Sequence, residues 1–264
     1  MGLSFIGLGL YNEKGISVRG LEEARRSDYV YVELYTNPMP NLSLRRLSES
    51  IGKHLEVVNR SFIEGSGAEE ILGKALSSNV ALLVPGDPMI ATTHVALRIQ
   101  AEGRGVKTRI IHGTSVASAA ISLSGLHSYK FGRSVTIPFD ESETPYNVIR
   151  DNGAMSLHSL VFLDVQAEER RYMTLGEGLN RLLDIERIRK ENVATPSTLI
   201  VGLARVGSDD SQARAGPISK LIRFDFGPPP HLLIVPSRLH FTEGEVLVKL
   251  CGAPQEVVEK LVED

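Results

Sequence analysis

Short apolar runs alternate with longer amphipathic stretches through the first half of the chain. The clearest run, Val80–Val84, is unbroken and is followed by proline and glycine, as is typical of a strand buried on both faces. Similar runs predict further strands at residues 3–6, 29–34, 55–58 and 109–111. Apolar residues at helical spacing predict helices at residues 17–26, 42–51, 68–76, 91–101 and 116–123. This alternation predicts a mainly parallel, three-layer α/β sheet.

The second half of the chain has a less regular pattern. Strands are predicted at residues 134–137, 160–163, 199–203 and 232–235, with 213–221 as a hairpin partner or neighbouring strand. A polar loop is predicted over 139–145, a long helix over 175–190, and a largely helical end over 244–262. We place a domain boundary within residues 113–128 and draw it after Gly113. This gives an N-terminal α/β domain of residues 1–113 and a C-terminal α/β domain of residues 114–264, with a mixed sheet in the second.

Composition narrows the classes of function. The formal net charge is −3 and the pI is about 6.2, so the chain has no broad basic field for binding nucleic acid. Its one cysteine, Cys251, excludes an internal disulfide and fits a reducing compartment. No apolar run approaches the ~20 residues that span a bilayer, and the apolar start lacks the basic residues of a signal peptide. We therefore expect a cytoplasmic protein that binds neither membranes nor bulk nucleic acid.

Several common site motifs are absent or broken. Gly7 and Gly9 follow the first strand, but Asn12 stands where the dinucleotide fingerprint needs its third glycine. These two glycines, with Glu33 near the end of the next strand, leave a nicotinamide-dependent oxidoreductase as an alternative. The chain has no P-loop and no G-x-S-x-G nucleophile motif. Its histidines form neither HxH nor HExxH, and one cysteine cannot build a zinc cluster, so we expect no metal site.

Loops that follow the predicted strands share small or polar residues. Asp87 lies between two prolines, in a stiff loop where its carboxylate could accept hydrogen bonds from hydroxyl or ammonium groups. A plain β-turn would explain the same residue types. Comparable segments are Gly9-Leu10, Thr114-Ser115, Asp164, Val206-Gly207 and Pro230-His231. Loops at converging strand ends would line one crevice, which is the geometry of a small-molecule site.

Six segments, in order over essentially the whole chain, resemble the archaeal diphthine synthases. They read FIGLGL, VPGDPMIATTH, IIHGTSVASAAISLSGLHSYKFGRS, LDVQAEERRYMT, LARVGS and FGPPPHLLIVPSRLH. The GDP sequence after a strand is shared by the whole tetrapyrrole-methylase superfamily of S-adenosylmethionine-dependent methyltransferases. GLHSYKFGRS together with PPPHLLIVPSRLH indicates the diphthine branch.

The resemblance implies a fold, a reaction and a set of cofactor contacts. It implies two α/β domains with S-adenosylmethionine, or its product S-adenosylhomocysteine, in the cleft between them, and a homodimer. The implied protein substrate is translation elongation factor 2, on a histidine that already carries a 3-amino-3-carboxypropyl group. Its amino group would be methylated up to the trimethylammonium form, diphthine. The implied cofactor positions are Leu10, Asp87, Ile90, Ser115, Val116, Leu163, Val206 and His231.

The residue types at these positions suit a cofactor site. The apolar ones could form its walls, and Asp87 and Ser115 could provide polar contacts. His231 could contact the adenine or ribose edge, or could simply cap a loop. Glu33, His94, His112 and water all stay open as the base for methyl transfer.

Other functions also stay open at this point. A tetrapyrrole or ribosomal RNA methyltransferase of the same superfamily would share the fold and the GDP segment. A binding module that kept the fold but lost its activity would do so as well.

Overall fold

The computed structural model describes residues 1–262, which form two compact units. The first unit comprises Met1–Val116 together with Ala167–Glu169. The second comprises Ala117–Gln166 and the described residues from Arg170 onward. The first unit thus includes a short segment that our prediction placed in the C-terminal domain. The boundary drawn after Gly113 stays a prediction.

The first unit is built on a five-stranded, entirely parallel sheet in the order β3-β2-β4-β1-β5. Its strands are β1 Gly2–Gly7, β2 Tyr29–Glu33, β3 Glu56–Val58, β4 Asn79–Val84 and β5 Thr108–Ile111. Its helices are α1 Val18–Arg26, α2 Leu44–Ile51, α3 Arg60–Ile63, α4 Ser66–Ala75 and α5 His94–Gly103, with a 3-10 turn at Glu13–Gly15. The predicted parallel α/β sheet is confirmed.

Both faces of this sheet are covered, because successive strand residues point to opposite sides. On one face Phe5 and Leu82 are buried in the same apolar cluster as Leu72 of α4. On the other face Ile6 and Leu83 are buried in the same cluster as Leu47 of α2. The strands are therefore held between two apolar layers, and only their ends and the loops that follow them are left for function.

Local backbone features explain where two helices of this unit begin. The Ser17 hydroxyl oxygen accepts a hydrogen bond from the Gly20 N–H at 3.1 Å, which fixes the start of α1 as predicted. The helix predicted from residue 91 was wrong at its start. Ala91 has a φ of +56°, in the left-handed region, so the helix cannot run through it and α5 begins only at His94.

The second unit contains a mixed sheet in the order β11-β10-β12-β7-β6, as predicted. Only the β6–β7 pair among the described strands of this sheet is parallel. The strands of this sheet are β6 Val135–Ile137, β7 Ser159–Leu163, β10 Leu199–Ala204, β11 Gln212–Pro217 and β12 His231–Val235. A separate two-stranded antiparallel ribbon pairs β8 Val165–Gln166 with β9 Arg171–Tyr172. The helices are α6 Val116–Ser124, whose first residue belongs to the first unit, α7 Thr144–Ala154, α8 Leu175–Arg189, α9 Ile218–Leu221, α10 Phe241–Lys249 and α11 Gln255–Val258, with a 3-10 turn at Ser128–Lys130. A further 3-10 turn, Ala167–Glu169, belongs to the first unit.

Two predictions for this unit need correction. The polar loop was extended to residue 145, but Thr144 and Pro145 open α7, which the sequence reading missed altogether. Proline suits the first turn of a helix, since its missing N–H would have no partner there. The stretch 213–221 is a strand only as far as Pro217, where α9 follows directly.

Candidate functional site

Three glycines bring the ends of β1, β4 and β5 into close backbone contact. A Cβ atom placed on Gly7 would lie 2.5 Å from the Gly86 carbonyl oxygen and 2.5 Å from the Gly113 amide nitrogen. Gly86 also has a φ of +72°, which glycine adopts without steric cost. Gly9 and Gly86 exchange backbone hydrogen bonds of 3.2 and 2.7 Å. The three strand-end loops are therefore fixed against one another.

Asp87 and His112 form a hydrogen-bonded pair in these loops. Asp87 is only 6 % exposed, and one of its carboxylate oxygens accepts the Met89 N–H at 3.0 Å. The other oxygen lies 2.8 Å from the His112 Nδ1 atom, while the His112 side chain is 75 % exposed. Because an ionised carboxylate can only accept, Nδ1 carries the proton. In the neutral imidazole Nε2 is then the proton acceptor.

The other predicted cofactor residues of the first unit lie close to this pair. Leu10 approaches Gly86, with its Cδ2 atom 4.0 Å from the place where a Gly86 Cβ would lie. The Ile90 N–H donates to the Asp87 carbonyl oxygen at 3.4 Å, and its side chain is exposed. Ser115 and Val116 are half-buried where α6 begins, directly after the β5 loop. All five predicted positions therefore lie at the carboxyl edge of the first sheet.

The three predicted residues of the second unit share one end of its sheet. Leu163 ends β7, His231 begins β12, and Val206 lies two residues after the end of β10. In the strand register Ala204 lies opposite His231, and the residues next to His231 and Leu163 lie opposite each other. All three side chains are buried.

His231 has an unpaired donor. Its Nδ1 accepts the Leu175 N–H at 3.3 Å, which places the proton of the neutral ring on Nε2. That Nε2 atom is buried and makes no hydrogen bond of good geometry, although the backbone of Gly227 and Pro228 lies close enough to the ring to act against the fall of its pKa. Burial, and secondarily the positive charge of Arg205, lowers the pKa of the imidazole and favours this neutral form. A buried N–H without an acceptor costs about 1–3 kcal/mol, so the atom suits an acceptor on a bound ligand.

Arg205 holds the backbone around these residues, and the sequence reading missed it. Its Nη1 atom donates to the carbonyl oxygens of Phe226 at 2.6 Å and Pro228 at 2.9 Å. Its Nε atom donates to Asp210 at 2.6 Å. This arginine thereby ties the loop that contains Val206 to the segment that precedes β12. An arginine within LARVGS gave no sign of this, because the carbonyl oxygens of Phe226 and Pro228 lie more than twenty residues later in the chain.

Glu33 and His94 are both closed off inside the first unit. The Glu33 carboxylate is fully buried and accepts hydrogen bonds from the Tyr35 N–H at 2.9 Å and the Thr36 N–H at 3.0 Å. Burial raises its pKa. His94 is also buried, its Nε2 lies 3.3 Å from the Tyr35 hydroxyl, and burial lowers its pKa to about 4. Both groups therefore complete an internal hydrogen-bond network.

Glu243 joins the two segments that indicate the diphthine branch. Its buried carboxylate accepts the backbone N–H groups of His127 and His240, each at 2.8 Å, and the Lys130 ammonium at 2.9 Å. The His158 Nε2 lies 3.1 Å from it. Burial raises the pKa of Glu243, but these donors outweigh burial and lower it to about 2. Sequence reasoning missed this carboxylate.

The described part of the chain contains neither a membrane-spanning helix nor a cluster of metal ligands. None of the helices within residues 1–262 is long and apolar enough to cross a membrane. Among the same residues, no group of three or more histidine, cysteine, aspartate or glutamate side chains could hold a metal ion.

Comparison with known proteins decides the family. Residues 2–222 match the family of tetrapyrrole (corrin/porphyrin) methylases. A diphthine synthase of Methanocella arvoryzae is 45 % identical over 95 % of this chain and 98 % of its own length. The diphthine synthase of Methanothermobacter thermautotrophicus is 44 % identical over 98 % of this chain and 99 % of its own. The chain belongs to the tetrapyrrole methylases and, within them, to the diphthine synthases.

The fold agrees with this membership. A crystal structure of a diphthine synthase matches with a TM-score of 0.90 and 41 % identity, covering 98 % of this chain and 99 % of that chain. The chain is therefore an S-adenosylmethionine-dependent methyltransferase, as the resemblance implied. The nicotinamide-dependent alternative has no support from these comparisons.

Proposed function

We propose that this diphthine synthase methylates a modified histidine of translation elongation factor 2 in the cytoplasm. The acceptor is the amino group of its 3-amino-3-carboxypropyl substituent, and three transfers give the trimethylammonium form, diphthine. The observation that carries the proposal is full-length similarity to relatives named diphthine synthase, at 41–45 % identity. The hydrogen bonds of Glu243 to His127, Lys130 and His240 support the proposal, because they join the two segments that indicate the diphthine branch.

The proposal assigns S-adenosylmethionine to the eight positions expected from the resemblance. They are Leu10, Asp87, Ile90, Ser115 and Val116 in the first unit and Leu163, Val206 and His231 in the second. Apolar walls suit the uncharged parts of this cofactor, and the unpaired His231 Nε2–H suits an acceptor of its adenine or ribose. When bound, the cofactor supplies a methyl group on a sulfonium, whose leaving group is a neutral thioether.

The main contribution of the chain to such a reaction is positioning. Methyl transfer is an in-line displacement, so the acceptor nitrogen, the methyl carbon and the sulfur must lie in line. The backbone contacts between Gly7, Gly86 and Gly113 fix the loops that carry five of the proposed contacts. Arg205 fixes the loop that carries Val206. Rigid loops hold the reactants in one geometry and thereby lower the entropic part of the barrier.

Replacing His231 with alanine should weaken cofactor binding about tenfold, because the acceptor on the bound cofactor would be left buried without its donor, which costs about 1–3 kcal/mol. Isothermal titration calorimetry with S-adenosylhomocysteine measures this directly. His54→Ala is the matched control, since His54 is exposed and lies at the opposite, amino edge of the first sheet. An unchanged dissociation constant in His231→Ala would remove this residue from the proposed cofactor site.

The function itself is tested on elongation factor 2 from cells that lack this enzyme. The factor is incubated with the purified chain and S-adenosylmethionine, and its intact mass is followed over time. The proposal expects a final gain of three methyl masses, with one- and two-methyl forms before it if the factor dissociates between transfers. Methylation of ribosomal RNA or of a tetrapyrrole, with the factor left unchanged, would favour a different acceptor.

The proposal also includes a homodimer. Sedimentation velocity on the purified chain should give twice the mass of one chain, and a monomer at all concentrations would contradict it.

A further inference from the structure

We infer that His112 is the general base that takes a proton from the substrate ammonium before each methyl transfer, and that Asp87 is its positioning residue. The inference rests on the proposed function, because it concerns an amine acceptor. The observation behind it is the hydrogen bond of 2.8 Å between an exposed imidazole and a buried carboxylate.

The geometry of the pair suits proton acceptance. The Asp87 carboxylate is held by the Met89 N–H, so it cannot turn away from His112. It accepts the Nδ1 proton, which fixes the tautomer whose Nε2 has a free lone pair. Histidine–carboxylate pairs orient a catalytic imidazole in this way and stabilise the imidazolium that forms. With three-quarters of the side chain exposed, a substrate amine can reach the ring.

The pair also lies in the right part of the fold. His112 directly follows β5, and its neighbour Gly113 touches the Gly86 carbonyl oxygen. Asp87 is one of the proposed cofactor contacts and the residue after Gly86. The imidazole is therefore anchored in the same set of strand-end loops as five of the proposed cofactor contacts. In parallel α/β sheets this edge is where ligands bind.

The other candidate bases are less suited. Glu33 is fully buried, and its oxygens already accept hydrogen bonds from its own turn. His94 is buried, and its ring nitrogens face Thr92 and Tyr35. Neither group presents a lone pair to an incoming substrate. Of the three side chains that the sequence left open, only His112 combines an orienting partner with exposure.

The proton balance of the reaction explains why an exposed base is useful. Nε2 takes one N–H proton from the ammonium, and the freed lone pair forms the new N–CH₃ bond as the C–S bond breaks and its electrons go to sulfur. The first and second products are again protonated amines, so each must lose a proton before the next transfer. Three transfers thus release three protons. The exposed imidazolium can pass each of them to water.

The test compares His112→Gln with His54→Gln, a substitution of an exposed histidine at the far edge of the sheet. We expect kcat of His112→Gln to fall about 10²–10³-fold near neutral pH, a range typical of general-base removal. Raising the pH should restore much of the rate, because the substrate ammonium then loses its proton to solvent. The dissociation constant for S-adenosylhomocysteine, measured by calorimetry, should stay within about twofold of the wild-type value, since His112 acts on the substrate.

A second variant separates catalysis from folding. Added imidazole should partly restore the activity of His112→Ala, which a structural role would not permit. Wild-type rates in His112→Gln across the pH range would overturn the role of His112 while leaving the proposed function standing. Absence of transfer to elongation factor 2 by the wild-type protein would refute the proposed function and this role with it.

Discussion

Replacing Gly7 with alanine is expected to lower the free energy of unfolding by about 2–4 kcal/mol and to remove measurable cofactor binding. The added Cβ would lie 2.5 Å from the Gly86 carbonyl oxygen and 2.6 Å from the Gly113 Cα. Both are backbone atoms, so no side-chain rotation can relieve the overlap. The ends of β1, β4 and β5 would have to separate. The loops that carry Asp87 and His112 would move with them.

Gly73→Ala is the matched control for this substitution. Gly73 lies on the exposed face of α4, and a Cβ there would have nothing within 4 Å. Alanine should stabilise that helix by about 0.5–1 kcal/mol, because glycine loses more backbone entropy on folding. Urea unfolding and calorimetry with S-adenosylhomocysteine measure both effects. Equal stability and equal affinity in Gly7→Ala would show that the strand-end contact is not needed.

Glu243→Gln is expected to cost about 3–5 kcal/mol of stability at neutral pH, because it removes the anionic partner of a buried ion pair. The Lys130 ammonium would keep its charge in a largely buried place without a counter-charge. The new amide would also bring an N–H₂ group towards the donors that now point at the carboxylate. Glu245→Gln on the exposed side of the same helix, where Glu245 pairs with Lys249, should cost less than about 0.5 kcal/mol.

The same carboxylate makes stability depend on pH in the acid range. Its pKa is about 2 in the folded protein, below the ordinary value of 4.5. Because the folded pKa is the lower one, the contribution is fully present above the ordinary value. It is lost as the pH falls towards the folded value. Urea unfolding from neutral to acid pH should therefore show a smaller acid loss in Glu243→Gln than in wild type. Parallel curves for the two proteins would contradict this assignment.

The pattern of apolar residues predicted much of the fold, because a parallel sheet covered on both faces requires nearly continuous apolar runs in its strands. Val80–Val84 is buried on both faces, and such a strand leaves an unbroken apolar run. Helix α7 was missed because its sequence, TPYNVIRDNGA, is polar overall, and its opening threonine and proline resemble a loop. The start of α5 was misplaced because Ala91 has a left-handed backbone, which alanine rarely adopts and no composition rule indicates.

The candidate site was predictable only in outline. Strand-end loops and the family resemblance pointed to Asp87 and His231, but the partner of each depends on tertiary structure. Sequence could not distinguish exposed His112 from buried His94, since both lie in segments that follow predicted strands and contain small or polar residues. The role of Glu243 could not be predicted from the sequence either, because its hydrogen-bond donor His127 lies more than a hundred residues away in the chain.

The most direct test of the proposed function is to locate the transferred methyl groups. Elongation factor 2 from cells lacking the enzyme is incubated with this chain and S-adenosylmethionine, digested, and fragmented by tandem mass spectrometry. We predict that all three methyl groups lie on the amino nitrogen of the modified histidine and are released together as trimethylamine on fragmentation. Methyl groups on another residue, or none on the factor while the chain still binds the cofactor, would contradict it.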